Sequence, residues 1–216
     1  MNDYYARRAP EYDRIYERPE RQADLRSIRA WLGTQFRGRR VLDVACGTGY
    51  WTPLLAAQAE SVRGIDAAEP TLQIARRRPV SAGCTVHFEV GDAYALPRTA
   101  PPCNAAFAGF WISHVPRARM REFLRGLQAV LEPGSPVVFL DNLYVSGHST
   151  PLSEPDANGD TWQWRVLADG SRHRVLKNYP DEAQLREALG PLASAVDYLA
   201  WEHYWAVRWT TAAQSP

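Results

Sequence analysis

The apolar positions of this chain keep changing period, and each change marks an element. Leu25, Ile28, Trp31, Leu32 and Phe36 recur at helical spacing, so the stretch from Glu20 to Phe36 is expected to form an amphipathic helix opened by Pro19. Val41, Leu42 and Val44 follow as a short run that is apolar on both faces apart from Asp43, the pattern of a buried strand. Tyr50 to Gln58 reads as a helix and Ser61 to Ile65 as a second strand ending at Asp66. Pro70 sits in the first turn of a helix that runs through Leu72, Ile74 and Ala75. Thr85 to Val90 alternates, which predicts a third strand, and Asn104 to Phe110 predicts a fourth. Arg117 to Leu131 places Met120, Phe123, Leu124, Leu127, Val130 and Leu131 on one helical side, and Pro133-Gly134 stops it. Pro136 to Leu140 is a fifth strand, ending at Asp141-Asn142. Strands and helices in alternation predict a parallel sheet covered on both faces.

The C-terminal third breaks that rhythm. Tyr144 to Gly159 is rich in Ser, Gly, Pro and Asp and is read as loop. Thr161 to Val166 alternates, Asp169-Gly170 signals a tight turn, and His173 to Leu176 returns, so an added β-hairpin is expected within an insertion at 144–180. Pro180-Asp181 opens a helix through Leu185 and Leu189. Val196 to Trp201 and Tyr204 to Trp209 form a closing antiparallel hairpin, and the final TTAAQSP reads as frayed. At the other end, Tyr5, Tyr12 and Tyr16 form an aromatic stripe at helical spacing, with Pro10 set to begin a turn or break the segment in two.

Candidate chemistry enters at the end of the first strand. Gly47 and Gly49 follow it at once, and glycines allow a sharp turn and close approach to a ligand. Strand, glycine turn and helix make the nucleotide-binding half of a doubly wound sheet. Thr52 stands where a dinucleotide fingerprint would have its third glycine. Asp43 would repel a pyrophosphate and attract an ammonium or sulfonium. The stretch VLDVACGTG resembles motif I of the class I S-adenosylmethionine-dependent methyltransferases, and LEPGSPVVFLDN resembles a later segment of the same class. The resemblance implies a Rossmann-like α/β domain spanning 1–216: a seven-stranded, mostly parallel sheet with one antiparallel strand, helices on both faces, plus the inserted hairpin. It implies S-adenosylmethionine as cofactor. Asp43 would help hold the methionine amino group, with Ala45, Gly47 and Gly49 passing under the ligand. Asp66, at the end of strand two and near the ~20-residue spacing expected after the turn, would accept from the ribose hydroxyls. Asp92 would face the adenine amino group, Ala93 would offer its N–H to the ring, and Phe110 would border the ligand at the end of strand four.

The loop after strand four borders the reaction centre, because ligands lie outside the carboxyl ends of the strands. Amide and adenine N6 methyltransferases carry an Asn-or-Asp, Pro, Pro, aromatic motif there. This chain has Gly109-Phe110-Trp111-Ile112, which argues against those acceptors. His114 is the first candidate for a base that takes the nucleophile's proton, against the plainer reading of a structural histidine; Asp141 and His148 are the alternatives. The aromatic segment 1–18 and the 144–180 insertion are expected to close the site as a lid, with Tyr5 and Tyr12 reaching the cofactor and Tyr144, Trp162 and Trp164 on the other half. A dimer contact is the alternative for the hairpin.

Composition narrows the acceptor. Lys+Arg 25 against Asp+Glu 24 gives a net charge of +1, which offers no general attraction to nucleic acid or to an acidic membrane. No metal-ligand spacing links Cys46, Cys84 and Cys103. No signal-peptide core or membrane-spanning apolar run is seen, so a cytoplasmic setting is expected. The expected function is methyl transfer to a nucleophilic O, N or S atom of a small molecule, without a metal. The alternatives are an RNA or protein methyltransferase, a non-catalytic nucleotide-binding protein, or a nicotinamide oxidoreductase.

Overall fold

The computed structural model describes residues 2–212. At its centre β1 (Arg40–Val44) pairs in parallel with β2 (Ser61–Asp66) on one side and β4 (Ala105–Gly109) on the other. β3 (Thr85–Val90) extends the sheet beyond β2, and β5 (Pro136–Asn142) extends it beyond β4, both in parallel. Two strands, β6 (Trp162–Val166) and β7 (Arg172–Leu176), form the separate added hairpin. β8 (Ala193–Ala200) and β9 (Tyr204–Thr211) then close the main sheet, with β9 antiparallel to both β5 and β8. The order is β3-β2-β1-β4-β5-β9-β8, seven strands with β9 alone reversed. The chain crosses over between β1 and β4, so the crevice for a ligand opens at their carboxyl ends.

Alternation along β1 divides its side chains between two cores. Val41 faces α2 (Gln22–Leu32) and α3 (Thr52–Ala56), in a layer with Leu25, Ile28, Leu55, Phe107 and Val138. Leu42 and Val44 face α5 (Met120–Val130) and α6 (Glu182–Leu189), with Phe123, Leu127, Phe139 and Trp205. Each fully buried Leu, Ile or Phe here stabilises the fold by roughly 1.5–3 kcal/mol relative to exposure. α4 (Glu69–Ala75) lays Leu72 and Ala75 on Phe88.

Several boundaries differ from the sequence reading. The helix expected over Glu20 to Phe36 is α2 alone, preceded by a 3-10 turn at Pro19–Arg21. It stops at Gly33 because Thr34 Oγ1 and Gln35 Nε2 take the Trp31 carbonyl. The helix after the glycine turn shrinks to α3, since Pro53 sets its start and Tyr50 stacks on Tyr16 instead. Asn104 caps β1 by accepting from the Arg40 N–H and lies outside β4. α5 begins only at Met120, after a 3-10 turn at Arg117–Arg119. β8 starts three residues earlier than expected, with an irregular register between Ser194 and Asp197 where Ala195 has φ 49°. Thr210 and Thr211 are paired in β9 rather than frayed, and 213–216 lie outside the described residues. Pro10 does divide the first segment, into α1 (Asn2–Arg8) and a 3-10 stretch at Ala9–Tyr16. The tyrosine stripe survives the break, with Tyr5–Tyr12 and Tyr12–Tyr16 ring centroids 6.1 and 6.3 Å apart.

Candidate functional site

Between β1 and α3 the backbone takes positive φ at Ala45 (53°), Gly47 (57°) and Gly49 (69°). A Cβ on Gly49 would lie 2.9 Å from that of Ala75, so the turn lies too close to α4 for any side chain there. The non-glycine Ala45 is held in a conformation L residues rarely adopt, which points to a constrained site. Asp66 ties the turn down. Its carboxylate accepts from the N–H groups of Gly47 and Ala68, each at 2.9 Å, and from Thr71 Oγ1 at 3.1 Å. Burial pushes this carboxyl up, opposed by the Ala68 and Gly47 amides.

Asp43 is buried on the α3 face of β1 and accepts from Thr52 Oγ1 at 2.8 Å. Burial lifts its carboxyl to about 7, opposed by the Thr52 hydrogen bond and reinforced by the nearby Asp66. It lies in the wall of a small hollow of about 20 Å³ beside Ala45, Gly47 and Tyr12. Burial, and then Asp43 and Asp66, raise the Cys46 thiol well above the ordinary range, which keeps it protonated at neutral pH.

Next to this hollow is a cavity of about 530 Å³ at the carboxyl ends of β2, β3 and β4. Ala45, Gly47, Asp66, Asp92, Ala93 and Phe110 all line it. Asp92 is exposed at the rim and accepts from the Tyr94 N–H at 2.9 Å, and Ala93 is buried behind it. Gly49 does not line this cavity, and its part is the close packing against α4. Phe110 leaves β4 with φ 61°, the second strained non-glycine residue at the site.

A second cavity of about 470 Å³ lies between the N-terminal segment and the added hairpin. Tyr5, Tyr12, Phe110 and His114 line both cavities and therefore stand at their junction. His114 is buried, with Nδ1 2.6 Å from the Leu176 carbonyl at the end of β7. A carbonyl only accepts, so Nδ1 carries the proton and Nε2 the lone pair. The Tyr5 hydroxyl donates to that lone pair at 2.8 Å. Burial, and then the charges of Lys177 and Arg165, hold the imidazole well below its usual range, so it is neutral at pH 7.

The other two candidate bases fare differently. Asp141 lines neither cavity. Its buried carboxylate accepts from the Ser113 and Asn142 N–H groups and from the Lys177 ammonium at 3.0 Å. Burial alone would raise this carboxyl, but Lys177, His114 and the two amides hold it below the ordinary range. Asp141 is thus the counterion of Lys177, and the expectation that it serves as base is withdrawn. His148 stands exposed on the wall of the second cavity, its Nδ1 3.0 Å from Nε2 of His203, which packs on the Asp24 carboxylate. Of the insertion's aromatics, Trp164 lines the second cavity, whereas Trp162 donates to Asp156 and Tyr144 packs on Tyr179, neither of them in the lining.

Sequence reasoning missed several lining residues. Tyr94 and Trp111 wall the larger cavity, with the Arg119 guanidinium 3.5 Å over the Tyr94 ring. Asp13 accepts from Thr48 Oγ1 at 2.7 Å and pairs with Arg78, fastening the N-terminal segment to the glycine turn. Arg21, Arg165 and Lys177 line the second cavity. For Arg165 and Lys177 the one available signal was their position in the insertion already marked as extra to the nucleotide-binding core.

A methyltransferase-domain family model matches residues 41–134. The chain is 35% identical over 137 residues to a demethylmenaquinone methyltransferase of Thermus thermophilus, covering 62% of this chain and 61% of that protein. It is 28% identical over 145 residues to a malonyl-[acyl-carrier protein] O-methyltransferase of Serratia marcescens, covering 66% of this chain and 49% of that one. The chain spans about half the length of most of the curated relatives it matches. Among solved structures, a DhpI-SAH complex superposes with a TM-score of 0.77 at 26% identity, covering 98% of this chain and 95% of that chain. By its strand order, its glycine turn and these likenesses, residues 41–134 are a methyltransferase domain, and the chain shares the fold of the class I S-adenosylmethionine-dependent methyltransferases.

Proposed function

We propose that this chain moves the methyl group of S-adenosylmethionine to a nucleophilic O, N or S atom of a small-molecule acceptor. The observation that carries the reading is the junction of two cavities at Tyr5, Tyr12, Phe110 and His114. The larger cavity has the carboxylates and backbone that suit an adenosine: Asp66 toward the ribose, Asp92 and Ala93 at the base. The hollow beside Asp43 suits the methionine amino group. The sulfonium then falls at the junction, with the acceptor approaching from the second cavity. A sulfonium is already a good leaving group, so alignment and exclusion of water supply much of the catalysis.

The N-terminal segment and the 144–180 insertion act together as the lid. Arg7 pairs with Asp169 at the hairpin turn, and the Tyr4 ring lies 5.3 Å from that of His173. Because these contacts join two parts of one chain over the acceptor, a small molecule fits better than an RNA or protein chain. A second copy of the chain on the outer face of the hairpin is the remaining partner reading, and concentration-dependent sedimentation checks it. The free thiols of Cys46, Cys84 and Cys103 support a cytoplasmic setting. Calorimetry tests the cofactor: S-adenosylmethionine and S-adenosylhomocysteine should bind more tightly than NAD, and the reverse order would sink the reading.

A further inference from the structure

The second cavity is unusual in its charge. Arg8, Arg14, Arg18, Arg21, Arg165 and Lys177 line it, against a single carboxylate, Glu11. Glu11 lies 4.0 Å from Arg14, and Lys177 is taken by Asp141. Arg8, Arg18, Arg21 and Arg165 have no carboxylate partner among the described residues, and of these Arg21 and Arg165 are held by side-chain hydrogen bonds. Arg21 is buried to 8% exposure. It donates to Asn142 Oδ1 at 2.9 Å and faces the Tyr204 ring, but its buried Nε has no partner. Arg165, on β6, donates to Gln163 Oε1 at 2.9 Å and faces the Tyr4 ring. Gln163 is itself fixed by the Thr150 carbonyl and the Tyr179 hydroxyl, so the Arg165 guanidinium is oriented. Burial lowers the Lys177 ammonium, and the charges of Arg165 and Arg21 push it further down, so the cations crowd one another. A buried guanidinium without a counterion is costly, and its planar fork matches the oxygens of a carboxylate or phosphorus oxyacid.

Resting on the methyl-transfer reading above, we propose that the acceptor is a small oxyanion. Its charged group is seated by Arg165 and Arg21, and one of its anionic oxygens is the nucleophile. A lone pair on that oxygen attacks the methyl carbon, and the C–S bond breaks with its electron pair left on sulfur. The sulfonium becomes a neutral thioether, and the acceptor becomes a methyl ester with one negative charge fewer. No proton is released, so no base is needed. This agrees with the engagement of His114 Nε2 by Tyr5 and of Asp141 by Lys177. Tyr5 and His114 then position the acceptor and shape the junction.

The full-length protein, loaded with S-adenosylhomocysteine, is titrated calorimetrically with propionate, benzoate, inorganic phosphate and methylphosphonate. Propionamide and benzyl alcohol serve as neutral counterparts. At least one class of anion should bind ten-fold or more tightly than the neutral compounds, and the two arms tell carboxylate from phosphorus acceptors. Arg165→Gln should weaken that anion at least 30-fold while S-adenosylhomocysteine affinity stays within about three-fold, and Arg165→Lys should recover part of the loss. Labelled methyl from S-adenosylmethionine should appear in a base-labile ester of the anion that binds. Equal binding of neutral and charged compounds, or no anion binding at all, overturns the proposal. So does an Arg165→Gln protein that binds the anion normally. A ten-fold loss of S-adenosylhomocysteine affinity in Arg165→Gln also overturns it, because the arginine would then serve the cofactor's own carboxylate. Failure of the wild-type protein to bind S-adenosylhomocysteine would instead remove the methyl-transfer reading beneath it.

Discussion

The Tyr5 hydroxyl donates to His114 Nε2 across 2.8 Å, joining the first helix of the chain to the loop after β4. The same imidazole donates from Nδ1 to Leu176 on the added hairpin, so one buried ring joins the N-terminal segment to the hairpin. Tyr5→Phe leaves its lone pair without a donor, which costs ~1–2 kcal/mol and shifts closing by ~5- to 30-fold. Tryptic cleavage after Arg7 or Arg8, with S-adenosylhomocysteine bound, should therefore run several-fold faster in the variant. Equal rates would mean that this hydrogen bond is not what holds the segment down.

Asp43 should couple cofactor binding to pH. Burial lifts its carboxyl to about 7, whereas in the unfolded chain it titrates near ~3.9. The folded protein keeps a proton the unfolded chain has released. This group's contribution to stability is therefore complete below pH ~4 and lost as the pH rises through 7. An ammonium brought beside the carboxylate reverses the preference and expels the proton. Affinity for S-adenosylhomocysteine should rise about ten-fold between pH 6 and pH 8. Asp43→Asn should flatten that rise and weaken binding by roughly 1.5–3 kcal/mol. Calorimetry at pH 6 in buffers of different ionisation enthalpy counts the proton, and a count of zero would place the ammonium elsewhere.

Asp66 has two duties, and substitutions can separate them. Asp66→Ala should lose roughly 1.5–3 kcal/mol of cofactor binding, and it also strands the Gly47 and Ala68 amides, costing ~1–3 kcal/mol of stability. Thr71→Val removes one hydrogen bond to the same carboxylate while leaving that carboxylate in place at the cavity wall. It should cost ~1 kcal/mol in urea unfolding and leave affinity within a few-fold. If Thr71→Val weakened the cofactor as much as Asp66→Ala, the turn's geometry and not a ribose contact would explain both.

The parallel part of the sheet was legible because its signals are local. A strand such as Val41 to Val44 is a short apolar run, and the glycines after it have one conformational use. The wall of the larger cavity was legible for the same reason, since Asp66 ends β2, and Asp92 and Phe110 follow β3 and β4 within two residues. The second cavity was not. Its cations come from residues 8 to 21 and 165 to 177, brought together only by folding. A net charge of +1 averages them away over the whole chain. Asp141 shows the same limit. Its place at the end of β5 suggested a base, and only Lys177, far along the chain, reveals an ion pair.

That pair gives the last expectation. Lys177 and Asp141 are both buried, with 3.0 Å between Nζ and Oδ1. Lys177→Met strands a carboxylate in the interior and should cost about 3–5 kcal/mol in urea unfolding. Adding Asp141→Asn removes the orphaned charge and keeps one carbonyl acceptor for either the Ser113 or the Asn142 amide, so the double variant should recover part of that loss. The pH dependence follows from the lowered Asp141 carboxyl. Its stabilisation is present above the unfolded value of ~3.9 and lost as the pH falls toward the folded one. Wild-type stability should therefore drop steeply on acidification below pH 4, and the drop should be shallower in the double variant. A double variant no more stable than Lys177→Met would show that packing around the lysine stem, and not the ion pair, accounts for the loss.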